Sequence, residues 1–198
     1  LAACFIVIII NQGLKKYGGD LAIGAFGIVN RLVFIVVMIV MGLNQGMQPI
    51  AGYNFGAKLY GRVNKVLRLT IIYATAVTTF GFLVGMLVPD LVVGIFTSDA
   101  ELTELSVTGL RITVMFFPII GFQMVTSNFF QSIGMAGKAI FLSLTRQMLI
   151  LLPCLLVLPQ FFGVAGVWYS MPVSDLLASL IALVMLVCQF RKFRTSPL

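Results

Sequence analysis

Apolar residues fall in long uninterrupted blocks along this chain. One partial and five full blocks occur, near residues 1–14, 21–43, 66–88, 105–133, 139–158 and 164–190. A helix needs roughly 20 residues to cross the hydrocarbon core of a bilayer, so five blocks are long enough and the first is not. The first block also lacks the basic leading region of a signal peptide. The pattern predicts an all-α integral membrane protein of six helices, with the first helix truncated.

The residues that flank each block refine the helix boundaries. Pro49 is expected to break the second helix, just before a basic linker. Residues 98–101 have the form of a capping box, in which Ser98 caps the next amides and Glu101 reaches back. The sequence therefore predicts one transmembrane lobe over 1–198, with approximate helices at 1–14, 21–50, 63–88, 99–133, 139–158 and 164–190.

Composition supports the membrane assignment and excludes several kinds of site. Hydrophobic residues make up 60% of the chain and charged residues 10%, where a soluble protein has about a quarter charged. The chain has no histidine, and Cys4, Cys154 and Cys188 stand singly in apolar runs, where we interpret them as small buried hydrophobes. No metal site or nucleophile with a partnering base is predicted, so the protein is not expected to be an enzyme and needs no cofactor.

The positions of the charges predict an orientation. Basic residues cluster at Lys58–Arg68, at Lys138 and at Arg191–Arg194, which share one side if the helices alternate in direction. Asp90, Asp99, Glu101 and Glu104 share the other side with Lys15 and Lys16. By the positive-inside rule the basic side and the C-terminus are cytoplasmic, in a multi-pass protein of the cell inner (plasma) membrane. Nucleic-acid binding is not predicted, because the cations are spread over loop ends.

Three charged residues lie at mid-membrane depth. Arg31, Arg146 and Asp175 stand about seven to eleven residues inside their predicted helices, or roughly 11–17 Å deep. Charges at this depth normally face a partner or a wet cavity. We expect Asp175 to pair with Arg31 or Arg146, and the other arginine to face a water-filled cavity or an acid elsewhere. The alternative is that these charges only fix helix packing.

Uncharged polar side chains also fall inside the predicted helices. The amide and hydroxyl candidates for lining a cavity are Asn44, Gln45, Gln48, Gln123, Ser127 and Gln131. In the block over residues 105–133, Gln123, either Thr126 or Ser127, and Gln131 can share one helical face. The alternative role for such groups is hydrogen bonding between helices.

Several linked motifs together resemble a known family. They are GGDLAIGAFGIVNR, GLNQGMQPIAGYNFGA, FTSDAEL, FFQSIGMAGKA, LTRQMLILLP and GVWYSMPVSDLLA, and their order and spacing extend over essentially the whole chain. They resemble the C-terminal lobe of multidrug and toxic compound extrusion (MATE) transporters. The resemblance implies one lobe of a twelve-helix, two-lobe protein, with the N-terminal lobe as a partner absent from this chain.

The same resemblance implies a function. It implies secondary active efflux of amphipathic, often cationic, drugs across the lipid bilayer, in antiport with Na⁺ or H⁺. Some branches of the family bind the coupling cation through a carboxylate near the position of Gln123, so this chain is not expected to couple there. Asp175 is the remaining acid at membrane depth, and it could exchange a proton as a cavity opens and closes.

Two other functions remain open from the sequence. A flippase of the same superfamily, acting on lipids or lipid-linked oligosaccharides, would share the architecture but would want a larger and more basic cavity. A truncated, non-transporting membrane scaffold is the alternative from another class.

Overall fold

Helices make up almost all of the described chain. The computed structural model describes the backbone of residues 2–195 and the side chains of residues 5–191. Four of the positions in the sequence predictions lie outside the described residues. They are Leu1 and the side chains of Cys4, Lys192 and Arg194. The elements are α1 (Ala2–Gly56), α2 (Tyr60–Leu87), α3 (Pro89–Gly94), α4 (Ala100–Val114), α5 (Phe117–Ser132), α6 (Ala136–Leu144), a π-helical segment (Thr145–Leu151), α7 (Leu152–Phe162) and α8 (Val164–Thr195).

The helix α1 is a hairpin of two antiparallel arms that meet at Gly19. Gly19 has φ 67° and ψ −162°, a left-handed conformation that glycine adopts without the penalty of a Cβ. Before it, Gly18 and then Gly13 lie against the start and the next turn of α8. After it, Phe26 approaches Trp168 of α8 with ring centroids 5.8 Å apart. The two arms therefore pass the same part of α8 in opposite directions.

The second arm of α1 continues past Pro49. We expected Pro49 to break this helix, and that prediction is wrong, because α1 extends to Gly56 with Pro49 inside it. A proline removes one backbone donor, and packed neighbouring helices can offset that loss in a transmembrane bundle. The helix ends instead at Ala57–Leu59, where Lys58 takes φ 59°.

The fourth span is bent, and its start differs from our expectation. Over 99–133 the sequence predicts one helix, but α4 and α5 meet at an angle of 54°. Pro118 lies at the start of α5, where its missing N–H leaves a carbonyl at the end of α4 without its helical partner. The predicted cap at Ser98 is also wrong. The N-cap is Asp99, whose Oδ1 accepts from the Leu102 amide at 3.0 Å, because the helix begins one residue later.

The fifth span runs from α6 through the π-helical segment into α7. Each π turn widens the hydrogen-bond register from i→i+4 to i→i+5, which rotates the following residues around the helix axis. Pro153 follows this segment on the first turn of α7 and cannot donate to the preceding turn. Gly163 then reverses the chain into α8 with φ 57°.

The elements form a membrane-type bundle with two ends. Four helices are long and apolar enough to cross a membrane when α1 is counted once and α6–α7 are counted as one helix, or five if the bent pair α4–α5 is one span. Successive reversals place the α1–α2 linker, Lys138 and Arg191 at one end, which we call the basic end. The opposite end holds Gly19, the α3–α4 region and Gly163, and we call it the acidic end. Cys154 is half-buried and Cys188 is exposed, so our prediction that both are buried is wrong. A thiol is small and apolar, and it is therefore compatible with the outer surface of the bundle.

Candidate functional site

Polar side chains from α1, α5 and α6 meet in a groove toward the basic end. Gln48 of α1 donates from Nε2 to Asn128 Oδ1 at 3.2 Å, and Asn128 donates to the Met124 carbonyl of its own helix at 2.9 Å. A cavity of about 430 Å³ adjoins this pair and is lined by Ser127, Asn128, Gln131, Ala136, Ala139, Ile140 and Ser143. We call it the amide groove. It offers donors and acceptors without a formal charge, on walls that are otherwise small and apolar.

Two of the predicted cavity residues are buried inside the bundle. Asn44 is 2% exposed and Gln123 is 3% exposed. Neither amide atom of Asn44, nor Oε1 of Gln123, has a hydrogen-bond partner within the described residues. Asn44 precedes Gln48 by one turn on α1, so it lies farther from the basic end than the amide groove. A buried unpaired amide costs about 1–3 kcal/mol, which makes this layer a place where water or a ligand would be stabilised.

Of the six predicted lining residues, the structure brings only some together. Ser127 and Gln131 line the amide groove, and Gln48 borders it through Asn128. Gln45 is exposed on a neighbouring face of α1, three residues before Gln48. Gln123 shares its helix with Ser127 but lies in the core, because α5 is packed between other helices over that turn.

The predicted pairing of Asp175 is resolved in favour of Arg146. Arg146 Nε lies 2.7 Å from Asp175 Oδ1, which joins the π-helical segment to α8. The Asp175 side chain is 6% exposed and that of Arg146 is 34% exposed. Desolvation of the carboxylate is thus offset by a nearby cation, whose other face reaches the surface of the lobe. Ser174 and Ser179 flank Asp175 on α8, and both donate to carbonyls of α8.

Arg31 stands apart from that pair. It is exposed on the second arm of α1, and within the described residues the structure gives it no ion-pair partner. Phe34, Met38 and Gln45 follow it at helical spacing and are exposed as well. We call this stripe the Arg31 face. Gln48 lies one turn beyond Gln45, so the Arg31 face adjoins the amide groove.

Four polar residues of this region are not among the site residues predicted from the sequence: Asn128, Ser143, Lys138 and Gln189. Ser143 lines the amide groove from α6, and Lys138 donates to Gln189 of α8 in a short contact while lying over the Phe130 ring at 5.2 Å. The sequence predicts only that Lys138 lies on the basic side of the membrane, because the residue that a loop lysine contacts cannot be identified from the sequence. Nothing in the sequence around Ser143 distinguishes it from the other hydroxyl residues of the spans.

Comparison with known proteins gives a consistent picture. The family model described as MatE matches residues 2–156. The multidrug export protein MepA of Staphylococcus aureus (strain MSSA476) is 28% identical over 179 residues, which is 90% of this chain and 39% of MepA. This chain therefore spans about two fifths of the length of that curated relative.

Solved structures agree with the family model. The MATE multidrug transporter DinF-BH matches with 36% identity and a TM-score of 0.85 over 98% of this chain and 44% of that protein. A multidrug resistance MATE family transporter in its outward-facing conformation matches at a TM-score of 0.90 with 18% identity, over 98% of this chain and 44% of that one, and shows the shared fold. The all-helical fold predicted from the sequence is confirmed, and its extent is that of one lobe. This chain belongs to the MatE family of multidrug and toxic compound extrusion transporters.

Proposed function

We propose that this chain is one six-helix lobe of a twelve-helix secondary transporter that exports amphipathic, often cationic, compounds in antiport with Na⁺ or H⁺. Its counterpart is the N-terminal lobe of the same protein. In this proposal the basic end and the C-terminus lie on the cytoplasmic side of the cell inner membrane. The family and the similarity to MepA, a multidrug export protein, support the proposal.

The observation that carries it is the exposure of Arg31 at mid-membrane depth. An arginine facing acyl chains costs about 2.5–3.5 kcal/mol on insertion scales. Arg31 has no carboxylate partner within the described residues, so the Arg31 face needs water or an acid from another element. A second lobe across a solvent-filled cavity would supply both the water and the acid. An isolated lobe-sized scaffold would leave this cost without compensation, which makes the scaffold alternative less favourable.

The chemistry of the amide groove supports small amphipathic substrates. Its polar groups are hydroxyls and amides, which orient a ligand without demanding a charge. Phe34 and Met38 on the adjoining Arg31 face provide apolar, adaptable contact area. Together they form an apolar wall with a few convergent polar groups, as is typical of drug-sized binding sites.

The coupling carboxylate is proposed to lie outside this chain. Asp175 is the one acid of the sequence at membrane depth, and it is buried against Arg146. Cation binding there would require the ion pair to open first. Gln123, near the position of a carboxylate in some branches, carries no charge. Proton exchange at Asp175 is the alternative, and the Asp175→Asn variant described below tests it.

One observation favours the flippase alternative. Because Asp175 is neutralised by Arg146, the charge that the Arg31 face presents is positive, which suits an anionic lipid headgroup better than a cationic drug. The other lobe would have to contribute acids for cationic substrates to bind.

The test is a transport assay with the complete protein in proteoliposomes. A cationic dye such as ethidium should accumulate against its gradient when a Na⁺ or H⁺ gradient is imposed, and should not when the gradient is abolished. Absence of dye movement together with flipping of a labelled anionic lipid would favour the flippase, and absence of both would favour the scaffold. An Asp175→Asn version that keeps wild-type ion-coupled flux would exclude Asp175 as the coupling group.

A further inference from the structure

A shallow trough runs along the exposed face of α2, on a different surface from the amide groove. It consists of three adjoining shallow depressions, of which the first and the third are lined by α2 alone. The first two share Asn64, Arg68 and Ile72, and the second and third share Ile71 and Ile72. We call this continuous surface the α2 trough.

The two ends of the α2 trough differ in chemistry. At the basic end it is lined by Asn64, Lys65 and Arg68. Toward the acidic end the lining is mostly apolar, with Ile72, Phe80 and Leu83 beside two threonines. Phe190 of α8 closes one side of the middle section, so the trough is a crevice between two helices over that stretch. The surface therefore matches a ligand that has a polar head group and a long apolar tail.

Helix length places the polar part of the trough at the headgroup level. From Arg68 to the end of α2 at Leu87 the helix rises about 28 Å, close to the ~30 Å thickness of a hydrocarbon core. The turn that carries Lys65 and Arg68 therefore lies at the boundary between acyl chains and headgroups. At this boundary a guanidinium can contact lipid phosphate while its stem remains among apolar groups.

The charge in this region is not compensated from within the described residues. Lys65 and Arg68 are exposed, and neither forms a salt bridge with another described residue. The other acids, Asp20, Asp90, Asp99, Glu101 and Glu104, all belong to the acidic end by the course of the chain. Two cations one turn apart, with an amide beside them, attract a phosphate by charge and by hydrogen bonding.

We propose that the α2 trough binds an anionic phospholipid of the membrane leaflet at the basic end. The phosphate lies between Lys65 and Arg68, with the Asn64 amide as a further donor, and one acyl chain follows Ile72 toward Leu83. Such a lipid would fill the crevice between α2 and α8. This site is separate from the proposed transport groove, so it stands or falls independently of the exported substrate.

The experiment measures lipid retention by native mass spectrometry of the complete protein that contains this chain. The protein is equilibrated with equal amounts of dioleoyl phosphatidylglycerol and dioleoyl phosphatidylcholine. We expect preferential retention of phosphatidylglycerol, and at least about a tenfold loss of that preference in the double variant K65Q/R68Q, because each cation near the surface contributes to the attraction.

The matched control removes the same charge at the other end, in K15Q/K16Q. This variant should retain phosphatidylglycerol as wild type does, and equal loss in both double variants would overturn the proposal by showing a nonspecific charge effect. Arg68→Lys keeps the charge and should retain the lipid, which separates headgroup binding from a folding defect. Displacement by glycerol 3-phosphate would mean that a free phosphate suffices, and unchanged retention in K65Q/R68Q would mean that phosphatidylglycerol binds elsewhere on the protein. Either result would also overturn it.

Discussion

Arg146 and Asp175 connect the one π-helical segment of the described chain to α8, with Arg146 Nε 2.7 Å from Asp175 Oδ1. The π turn changes the direction in which residue 146 points relative to an uninterrupted α-helix. Asp175 lies between Ser174 and Ala178 on the buried side of α8. The ion pair therefore fixes both the rotation of the fifth span and its contact with the last one.

Breaking this pair should destabilise the lobe. Asp175→Asn leaves Arg146 without its partner, and we expect a loss of about 2–3 kcal/mol, less than the roughly 3–5 kcal/mol of a fully buried pair because the Arg146 side chain is one-third exposed. Unfolding in mixed detergent, followed by circular dichroism, measures the change in the free energy of unfolding.

A double-mutant cycle identifies the partner. Asp175→Asn and Arg146→Gln should show a coupling energy of about 1 kcal/mol or more, whereas Asp175→Asn and Arg31→Gln should be additive within about 0.5 kcal/mol. Coupling of equal size between Asp175 and Arg31 would contradict the geometry, in which the carboxylate pairs with Arg146 and not with Arg31.

The N-cap of α4 provides a test at the acidic end. Asp99 Oδ1 accepts from the Leu102 amide, while Ser98 makes no side-chain capping bond. Asp99→Ala should cost about 1 kcal/mol of stability, since it removes an acceptor and a negative charge at a helix N-terminus. Ser98→Ala is the matched control and should be close to neutral in the same unfolding measurement. A larger loss of stability in Ser98→Ala than in Asp99→Ala would instead support the capping box predicted from the sequence.

The sequence predicted the all-helical membrane fold correctly, but it did not predict which side of each helix is buried, and the reason is physical. Lipid and protein core are both apolar, so a transmembrane helix need not be amphipathic, and its pattern does not say which side is buried. Asn44 and Gln45 are adjacent and chemically alike, yet the first is buried and the second exposed. Only packing against neighbouring helices separates them.

Charges were more informative than amides. The cost of a bare charge at membrane depth is large enough that Asp175 had to find a partner, which limited the choice to two arginines. The bend between α4 and α5 could be predicted from the sequence, because Pro118 lies at its position. The π-helical segment was not, since its residues Thr145–Leu151 have no composition that separates them from an α-helix.

Two helices at the basic end terminate with the same backbone motif but different residues. After α1, the Leu59 amide bonds the Asn54 carbonyl and the Lys58 amide bonds that of Phe55. After α5, Met135 and Gly134 make the equivalent bonds to Phe130 and Gln131, with Gly134 at φ 77°. Both are Schellman motifs, which favour glycine at the left-handed position.

Lys58→Gly should therefore stabilise the protein, and Gly134→Ala should destabilise it. We expect changes of about 0.5–1 kcal/mol in opposite directions, because only the left-handed residue differs in its Cβ. Thermal unfolding of the two variants beside wild type measures this. A destabilising Lys58→Gly would show that the lysine side chain makes a contribution that outweighs its backbone strain.

The amide groove gives the most direct test of the proposed transport site. Gln131→Ala and Ser127→Ala remove polar groups that line the cavity, and we expect each to raise the KM for dye export about threefold to tenfold in the complete protein, the loss of about one hydrogen bond. Gln160→Ala is the matched control, because Gln160 is an exposed amide near the acidic end that bonds its own helix at the Leu156 carbonyl. Its KM should equal that of wild type. A uniform fall in maximal rate with unchanged KM in both groove variants would indicate that these residues support the conformational change and do not contact the substrate.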